Sequence, residues 1–402
     1  MNSEIPKVLH PICARPMICY VTDLVKALKA TRAVAVLGYK HDEVKKVLPP
    51  WVKVALQKNI SGTADAVKCA LPYLLDFQGT ILVLYGDAPL LTAETVKKLV
   101  KHHRENNFSA SILTAEMIDP SGYGRMLRDT YSTVCGIAED KDANDFQKKI
   151  LEVNTGIVCL EKKELVRVLG EIKTNNRKKE YYLTDAIALL YRRTGLIGSI
   201  KIKDAREALG INSRVDLALA NQLMQKKINE SLMKEGVTLV DPQTTFISYG
   251  TKIGKDTVIY PFTVIEKDVT IGLRCSVGPF AHLREGTRLD DRVVVGNFLE
   301  IVRSRLSKNT WVKHFSYLGD SRIGANVNIG AGTVIANFDG TKKNVSVIKD
   351  NAFIGSDTVL VSPVTIGKGA RTGAGSVVTG HTRVKNGTTV TGVPARLLKR
   401  KI

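Results

Sequence analysis

Residues 251–306 read TKIGKDTVIYPFTVIEKDVTIGLRCSVGPFAHLREGTRLDDRVVVGNFLEIVRSRL, and every sixth position from Ile253 to Ile301 is aliphatic: Ile253, Ile259, Ile265, Ile271, Val277, Leu283, Leu289, Val295 and Ile301. A period of six matches neither a helical stripe nor a simple half-buried strand. It is the hexapeptide pattern, in which three hexads close one triangular coil and successive coils stack their aliphatic residues along an axis. A slip of one residue carries the pattern to Leu306, Val312 and Leu318, and another to Ile323, Ile329 and Ile335. A last run covers Ile348, Ile354, Leu360, Ile366, Val378, Val384 and Val390, with Thr372 as its single miss. Many of these aliphatics precede glycine, as at Gly254 and Gly272, where the turn leaves no room for a Cβ. The stretch ANFDGTKKNVSV (336–347) cannot be a regular coil, so it is expected to project as a loop carrying Asn337, Lys342 and Lys343.

Upstream, the period changes. Residues 213–236 place Leu217, Leu219, Leu223, Met224, Ile228, Leu232 and Met233 at helical spacing and end in Gly236, which predicts one linker helix. Residues 1–212 alternate apolar runs (Ala33–Leu37, Ile81–Tyr85, Ala110–Thr114) with amphipathic stretches such as Ala93–His103. That alternation predicts an α/β unit on a mostly parallel sheet, with ligands at the carboxyl ends of its strands, which singles out Gly86-Asp87. The expected organisation is therefore 1–212, a helix over 213–236, and a β-helix over 237–402.

Composition narrows the function. The 402 residues hold 59 Lys+Arg against 39 Asp+Glu, a net charge of +20 that favours anionic partners. The basic residues are spread from Lys45-Lys46 to the run Arg396 to Lys401, and aromatics are only 6% of the chain, so phosphorylated small molecules are favoured over nucleic acid. No apolar stretch is long enough to span a bilayer and MNSEIPKVLH has no apolar core of a secretion signal. The six cysteines form no C-x-x-C pair, which predicts a cytoplasmic protein without a disulfide framework.

Motifs along nearly the whole chain resemble one family. PKVLH (6–10), LYGDAPL (84–90), DPSGYGR (119–125), GIAEDKDA (136–143), EVNTGI (152–157), YYLTD (181–185) and GINSR (210–214) are followed by GPFAHLREG (278–286), VGNFLE (295–300), HFSYLGD (314–320), NIGAGTVIANFDG (328–340) and FIGSDTVLVSPVTIGKGA (353–370). In this order they resemble the bifunctional bacterial enzymes that make UDP-N-acetylglucosamine. The resemblance implies a Rossmann-like nucleotidyltransferase unit followed by a left-handed parallel β-helix of hexapeptide repeats.

The first unit would move a uridylyl group from UTP to N-acetylglucosamine 1-phosphate, releasing pyrophosphate, a displacement that needs charge neutralised and groups aligned. By that resemblance Asp87 and Asn212 would hold Mg²⁺, Lys7 would face the nucleotide phosphates, Gln57, Gly62 and Thr63 the uracil, and Gly124, Glu139, Asn154 and Thr184 the sugar. Read without the family, Asp87 is equally a helix N-cap and Asn154 a turn residue. The family's opening strand and glycine-rich loop, L-A-A-G-x-G-T-R-M, have no counterpart before Met1. A start codon assigned too far downstream is one expectation, and a crippled nucleotidyl half is the other.

The β-helix would transfer acetyl from acetyl-CoA to the amine of glucosamine 1-phosphate. The resemblance makes His314 the general base, with Glu300 orienting its imidazole. Arg284, Tyr317 and Lys343 would bind the sugar phosphate, and Asn328 and Asn337 the sugar and its amine. Ala331, Ser356 and Ala374 would line the acetyl-CoA site beside Asn337, with a backbone N–H near Phe338 on the thioester oxygen. Two family cations are replaced: a phosphate-binding lysine aligns with Val302 and a CoA-contacting arginine with Gly392, where Arg396 lies nearby. Strand alternation sends the adjacent Arg303 to the opposite face from Val302. A homotrimer is implied, since such a β-helix packs its open flank on its copies. Other readings are an acetyltransferase with a defunct nucleotidyl half, and a non-catalytic sugar-nucleotide platform.

Overall fold

The computed structural model describes residues 1–398; the basic run that begins at Arg396 extends beyond them. The chain divides into two compact units after Asn221, and the helix Arg214–Lys234 contains that point.

In the amino-terminal unit the α/β alternation is present, with strands at Val34–Leu37, Thr80–Val83 and Ala110–Glu116 and a helix at Ala93–Glu105. Thr92 caps that helix by accepting from the Thr95 N–H at 3.3 Å. The expectation of a mostly parallel sheet is corrected. Ala110–Glu116 pairs in parallel with Ile197–Lys201, but Glu152–Glu161 runs antiparallel between Thr80–Val83 and Ala110–Glu116. Arg125–Arg128 and Val134–Ala138 add another antiparallel pair. The apolar runs of 110–115 and 157–160 show burial on both faces, which reports central position and not direction. Val34–Leu37 and Lys53–Leu56 form a separate parallel pair, so the edge of Thr80–Val83 away from Glu152–Glu161 joins no strand among the described residues.

Both faces of the larger sheet are covered. Ile112, Val158 and Leu160 pack with Leu165, Ile187 and Leu190; Leu113, Ile157 and Cys159 pack with Leu24, Val96 and Leu99. A polar bolt crosses this core. Buried His103 contacts Ser111 Oγ at 3.0 Å through Nδ1 and Glu161 Oε1 at 3.3 Å through Nε2, and Thr80 Oγ1 donates to the same carboxylate at 2.9 Å. Ser111 is fully buried, so this Ser-His-Glu constellation ties a helix to three strands and offers no nucleophile to solvent.

The carboxy-terminal unit is the left-handed parallel β-helix. Its two- to four-residue strands line up in three sheets of ten, eight and eight strands. Each core aliphatic sits over its counterpart in the next coil, as Ile259 over Val277 and Val277 over Val295. Nearly all of the hexad residues named above are less than a tenth exposed and form one continuous column. Thr372 belongs in it: it is 3% exposed, and its hydroxyl accepts from the Gly355 N–H at 2.9 Å. Gly254 and Gly272 are glycine because the next coil passes close by; a Cβ on Gly254 would lie 2.6 Å from the Gly272 carbonyl carbon. Their φ is ordinary, and the left-handed corners are taken by Asp256, Phe262, Phe280 and Phe298 instead. The two slips are coils one residue short, which set Leu306 over Leu289 and Ile323 over Leu306, and the following coil is lengthened by 337–345, which sets Ile348 over Ile323. Those residues project as a hairpin closed by a bridge between Phe338 and Lys343.

Burial holds the His103 imidazole below its ordinary value, partly opposed by Glu161. The folded unit thus binds less proton there than the unfolded chain, so this stabilisation is complete above about pH 6.5 and declines as pH falls below it. His10 shifts in the same direction, again through burial first. The melting temperature should fall as pH drops below about 6.5, and His103→Gln should flatten that decline; an unchanged slope in the variant would assign the acid sensitivity elsewhere.

Candidate functional site

Each unit gathers one set of the residues picked out above. In the amino-terminal unit, Asp87 follows the strand Thr80–Val83, and its backbone carbonyl accepts from the Ile211 N–H at 3.1 Å, which brings Asn212 alongside. Lys7, in the short 3-10 helix Lys7–Leu9, ion-pairs with Asp87 and donates to Asn212 Oδ1 at 2.8 Å. Asp87 caps no helix. One ammonium therefore sits on both side-chain oxygens proposed to hold a metal, so the pair already accommodates a cation. Two hard oxygen donors with the remaining positions left to substrate phosphates and water suit Mg²⁺. Among the described residues no group of three His, Cys, Asp or Glu side chains converges as a metal site.

Near Gly86-Asp87 a small hollow is lined by Tyr85, Ile137, Asn154, Gly156, Leu183 and Thr184, with Ile112, Val158 and Ile187 of the core at its base. Asn154 lies within the strand Glu152–Glu161 and not in an isolated turn; its N–H donates to Gly124 O at 2.8 Å and its Oδ1 accepts from the Gly156 N–H at 2.9 Å. Thr184 Oγ1 donates to Glu139 Oε1 at 2.8 Å. Gly124 is held against this group: a Cβ there would meet Ile137 at 2.8 Å. Gln57 Nε2 donates to Gly62 O at 3.0 Å and Asp65 Oδ2 at 2.8 Å, while Thr63 Oγ1 accepts from the Leu183 N–H at 2.9 Å. The sequence reading missed Tyr85. Burial, and then the carboxylates of Glu139 and Asp87, push its hydroxyl up to about 12, so it stays a neutral donor. Its place between a strand and Gly86-Asp87 was the available signal.

In the β-helix, Glu300 and Tyr317 stand opposite each other on neighbouring strands. Glu300 Oε1 accepts from Arg284 Nη1 at 2.7 Å, and no hydrogen bond joins it to His314. The carboxylate expected to orient the imidazole therefore anchors an arginine in this structure. His314 is exposed in the bend before the strand Ser316–Gly319. The adjacent Phe315 carbonyl accepts from the Gly332 N–H at 2.8 Å, the Ala331 carbonyl from the Asp357 N–H at 2.6 Å, and the Ser356 carbonyl from the Gly375 N–H at 2.8 Å. His314, Ala331, Ser356 and Ala374 thus follow one corner of the prism, coil after coil. Asn337 is 5% exposed at the root of the hairpin, Phe338 and Lys343 pair across it, and Asn328 stands opposite Phe353 on another sheet. Gly392 and Arg396 lie at the last coil, where Thr391 pairs with Arg396.

Residues 1–153 match the family model for the MobA-like NTP transferase domain, and 250–284 and 346–380 the one for bacterial transferase hexapeptide repeats. Proteins named bifunctional protein GlmU are similar over almost the full length. The one from Thermosipho africanus is 44% identical across 94% of this chain and 89% of its own. One from a Geobacillus species is 40% identical across 94% and 90%, and one from Thermosipho melanesiensis 42% across 95% and 90%.

Gly62 has a φ of +118°, and a Cβ there would lie 2.5 Å from the Tyr181 carbonyl oxygen. Gly62→Ala should cost about 1–3 kcal/mol of strain, lowering the first thermal transition by a few degrees; an unshifted transition would show that Tyr181 can give way.

Proposed function

The chain belongs to the family of the bifunctional GlmU proteins, and from that premise we infer that its two units carry out successive steps of UDP-N-acetylglucosamine synthesis. The β-helix acetylates glucosamine 1-phosphate from acetyl-CoA, and the amino-terminal unit transfers a uridylyl group from UTP to the product, releasing pyrophosphate. The observation that carries the reading is the near full-length identity spanning both kinds of unit.

For uridylyl transfer, Asp87 and Asn212 would hold Mg²⁺, which would neutralise charge on the phosphates. Lys7 leaves the oxygens it occupies and turns to the nucleotide phosphates. Gln57, Gly62 and Thr63 form the edge that takes the uracil, and the hydrogen-bonded group of Gly124, Glu139, Asn154 and Thr184 takes the sugar hydroxyls. This arrangement aligns the attacking phosphate with the nucleotide's α-phosphorus, which is the main demand of an in-line displacement.

For acetyl transfer, the sugar amine attacks the thioester carbonyl, the His314 imidazole removes its proton, and the adduct collapses with cleavage of the C–S bond, CoA leaving as the thiolate that takes up the proton. Ala331, Ser356 and Ala374 follow the corner along which acetyl-CoA lies. Glu300 acts through Arg284, holding that guanidinium for the sugar phosphate beside Tyr317 and Lys343. Asn328 and Asn337 place the sugar, and a backbone N–H near Phe338 faces the thioester oxygen.

The active form is a homotrimer. Phe262, Phe280 and Phe298 support this: they stack at 4.8 and 5.0 Å along one corner yet remain about half exposed. Cytoplasmic residence is supported by the six cysteines, which form no disulfide among the described residues. Among the described residues no helix is long and apolar enough to cross a membrane.

Asp87→Ala should lower pyrophosphate release at least about 100-fold and leave acetyl transfer intact. His314→Ala should do the reverse, by roughly 10²–10⁴-fold. A single variant that silences both assays would overturn the division of labour.

A further inference from the structure

The turn after the strand Leu299–Val302 carries a cation in an unexpected place. Simple alternation sends Arg303 to the face opposite Val302, but the strand ends at Val302 and Arg303 has a left-handed φ of 45°. The side chain reaches Asp320 instead. Its Nε and Nη2 donate to the two carboxylate oxygens at 2.7 Å each, and Asp320 Oδ2 also accepts from Asn337 Nδ2 at 2.5 Å. Tyr317 and Lys343 both act electrostatically on this pair. Arg303 thus stands among Tyr317, Asn337 and Lys343, while Val302, 2% exposed, is an apolar floor that can bind no anion.

The donors decide what Arg303 can do. A guanidinium has five N–H groups in a fixed fork. Two of them face Asp320, and the other three have no protein acceptor among the described residues. The side chain is 38% exposed against 12% for Asp320, so the carboxylate is the buried anchor and the guanidinium the reachable end. An arginine so held can grip a carboxylate along one edge and a phosphate oxygen along another.

We propose that Arg303 is a further cation on the phosphate of the sugar substrate in the β-helix unit, in addition to Arg284 and Lys343, positioned for it by Asp320 and Asn337. The proposal rests on the reading that this unit acetylates glucosamine 1-phosphate. Acetyl transfer to glucosamine 1-phosphate and to unphosphorylated glucosamine should be measured on the full chain and on Arg303→Met and Arg303→Lys. Arg303→Met should raise KM for glucosamine 1-phosphate about 10- to 100-fold with kcat little changed, leave kcat/KM for glucosamine within about threefold, and be partly rescued by Arg303→Lys. An unchanged KM in Arg303→Met, or equal loss toward both substrates, would overturn the proposal, the latter by showing that Arg303 only braces the hairpin. If the unsubstituted protein acetylates neither sugar, the acetyltransferase reading itself fails and takes this proposal with it.

Discussion

The β-helix half depends on one constraint: each coil must return its aliphatic residues to the axis, one above the other. The strands are two to four residues long and could not persist alone, so their ladders and the column of Ile, Leu and Val side chains stabilise each other. Each buried aliphatic contributes on the order of 1.5–3 kcal/mol, and a slip of one residue within a coil would turn its whole set outward. The register is therefore strongly enforced, and departures from it need compensation. Thr372 shows how: a hydroxyl enters the column because the Gly355 N–H and Thr358 satisfy it.

Several of the proposed site residues lie where that constraint is relaxed. The short coil that sets Leu306 over Leu289 contains Arg303, whose left-handed turn sends a cation to Asp320. The lengthened coil carries the hairpin, whose Asp339 accepts from the N–H groups of Thr341 and Lys342 and from the Asn344 side chain. That turn fixes Lys343 opposite Phe338 and leaves Asn337 buried at its root. Rigid coils on both sides hold these irregular segments in place.

The hexad column was legible in the sequence because its period is long, regular and spelled in aliphatics. The amino-terminal α/β alternation was legible too, but strand direction was not, since a strand buried on both faces reads alike in either sense. Glu152–Glu161 could run antiparallel between its neighbours without any change in composition. Among the site residues, Lys7, Asp87 and Asn212 were identified by motif, yet only folding shows that 205 residues of chain separate two atoms 2.8 Å apart. Partners were the least legible. Glu300 binds Arg284 and Arg303 binds Asp320 across neighbouring coils, and such pairings depend on side-chain direction, which alternation rules predict wrongly at a left-handed residue.

These pairings share a logic with Lys7. In each unit a cation among the proposed site residues rests on a carboxylate: Lys7 on Asp87, Arg284 on Glu300, Arg303 on Asp320. The three cationic side chains are 38%, 43% and 38% exposed, while Asp87 and Asp320 beneath them are only 17% and 12% exposed, so the carboxylates act as anchors and the cationic ends stay within reach of solvent. Sharing the free edge of such a cation leaves its anchor in place. A multiply charged phosphate gains charge-assisted hydrogen bonds there. The resting ion pairs keep the side chains oriented without trapping them, so an anionic substrate completes an existing geometry instead of ordering a free lysine or arginine at the full cost in side-chain entropy.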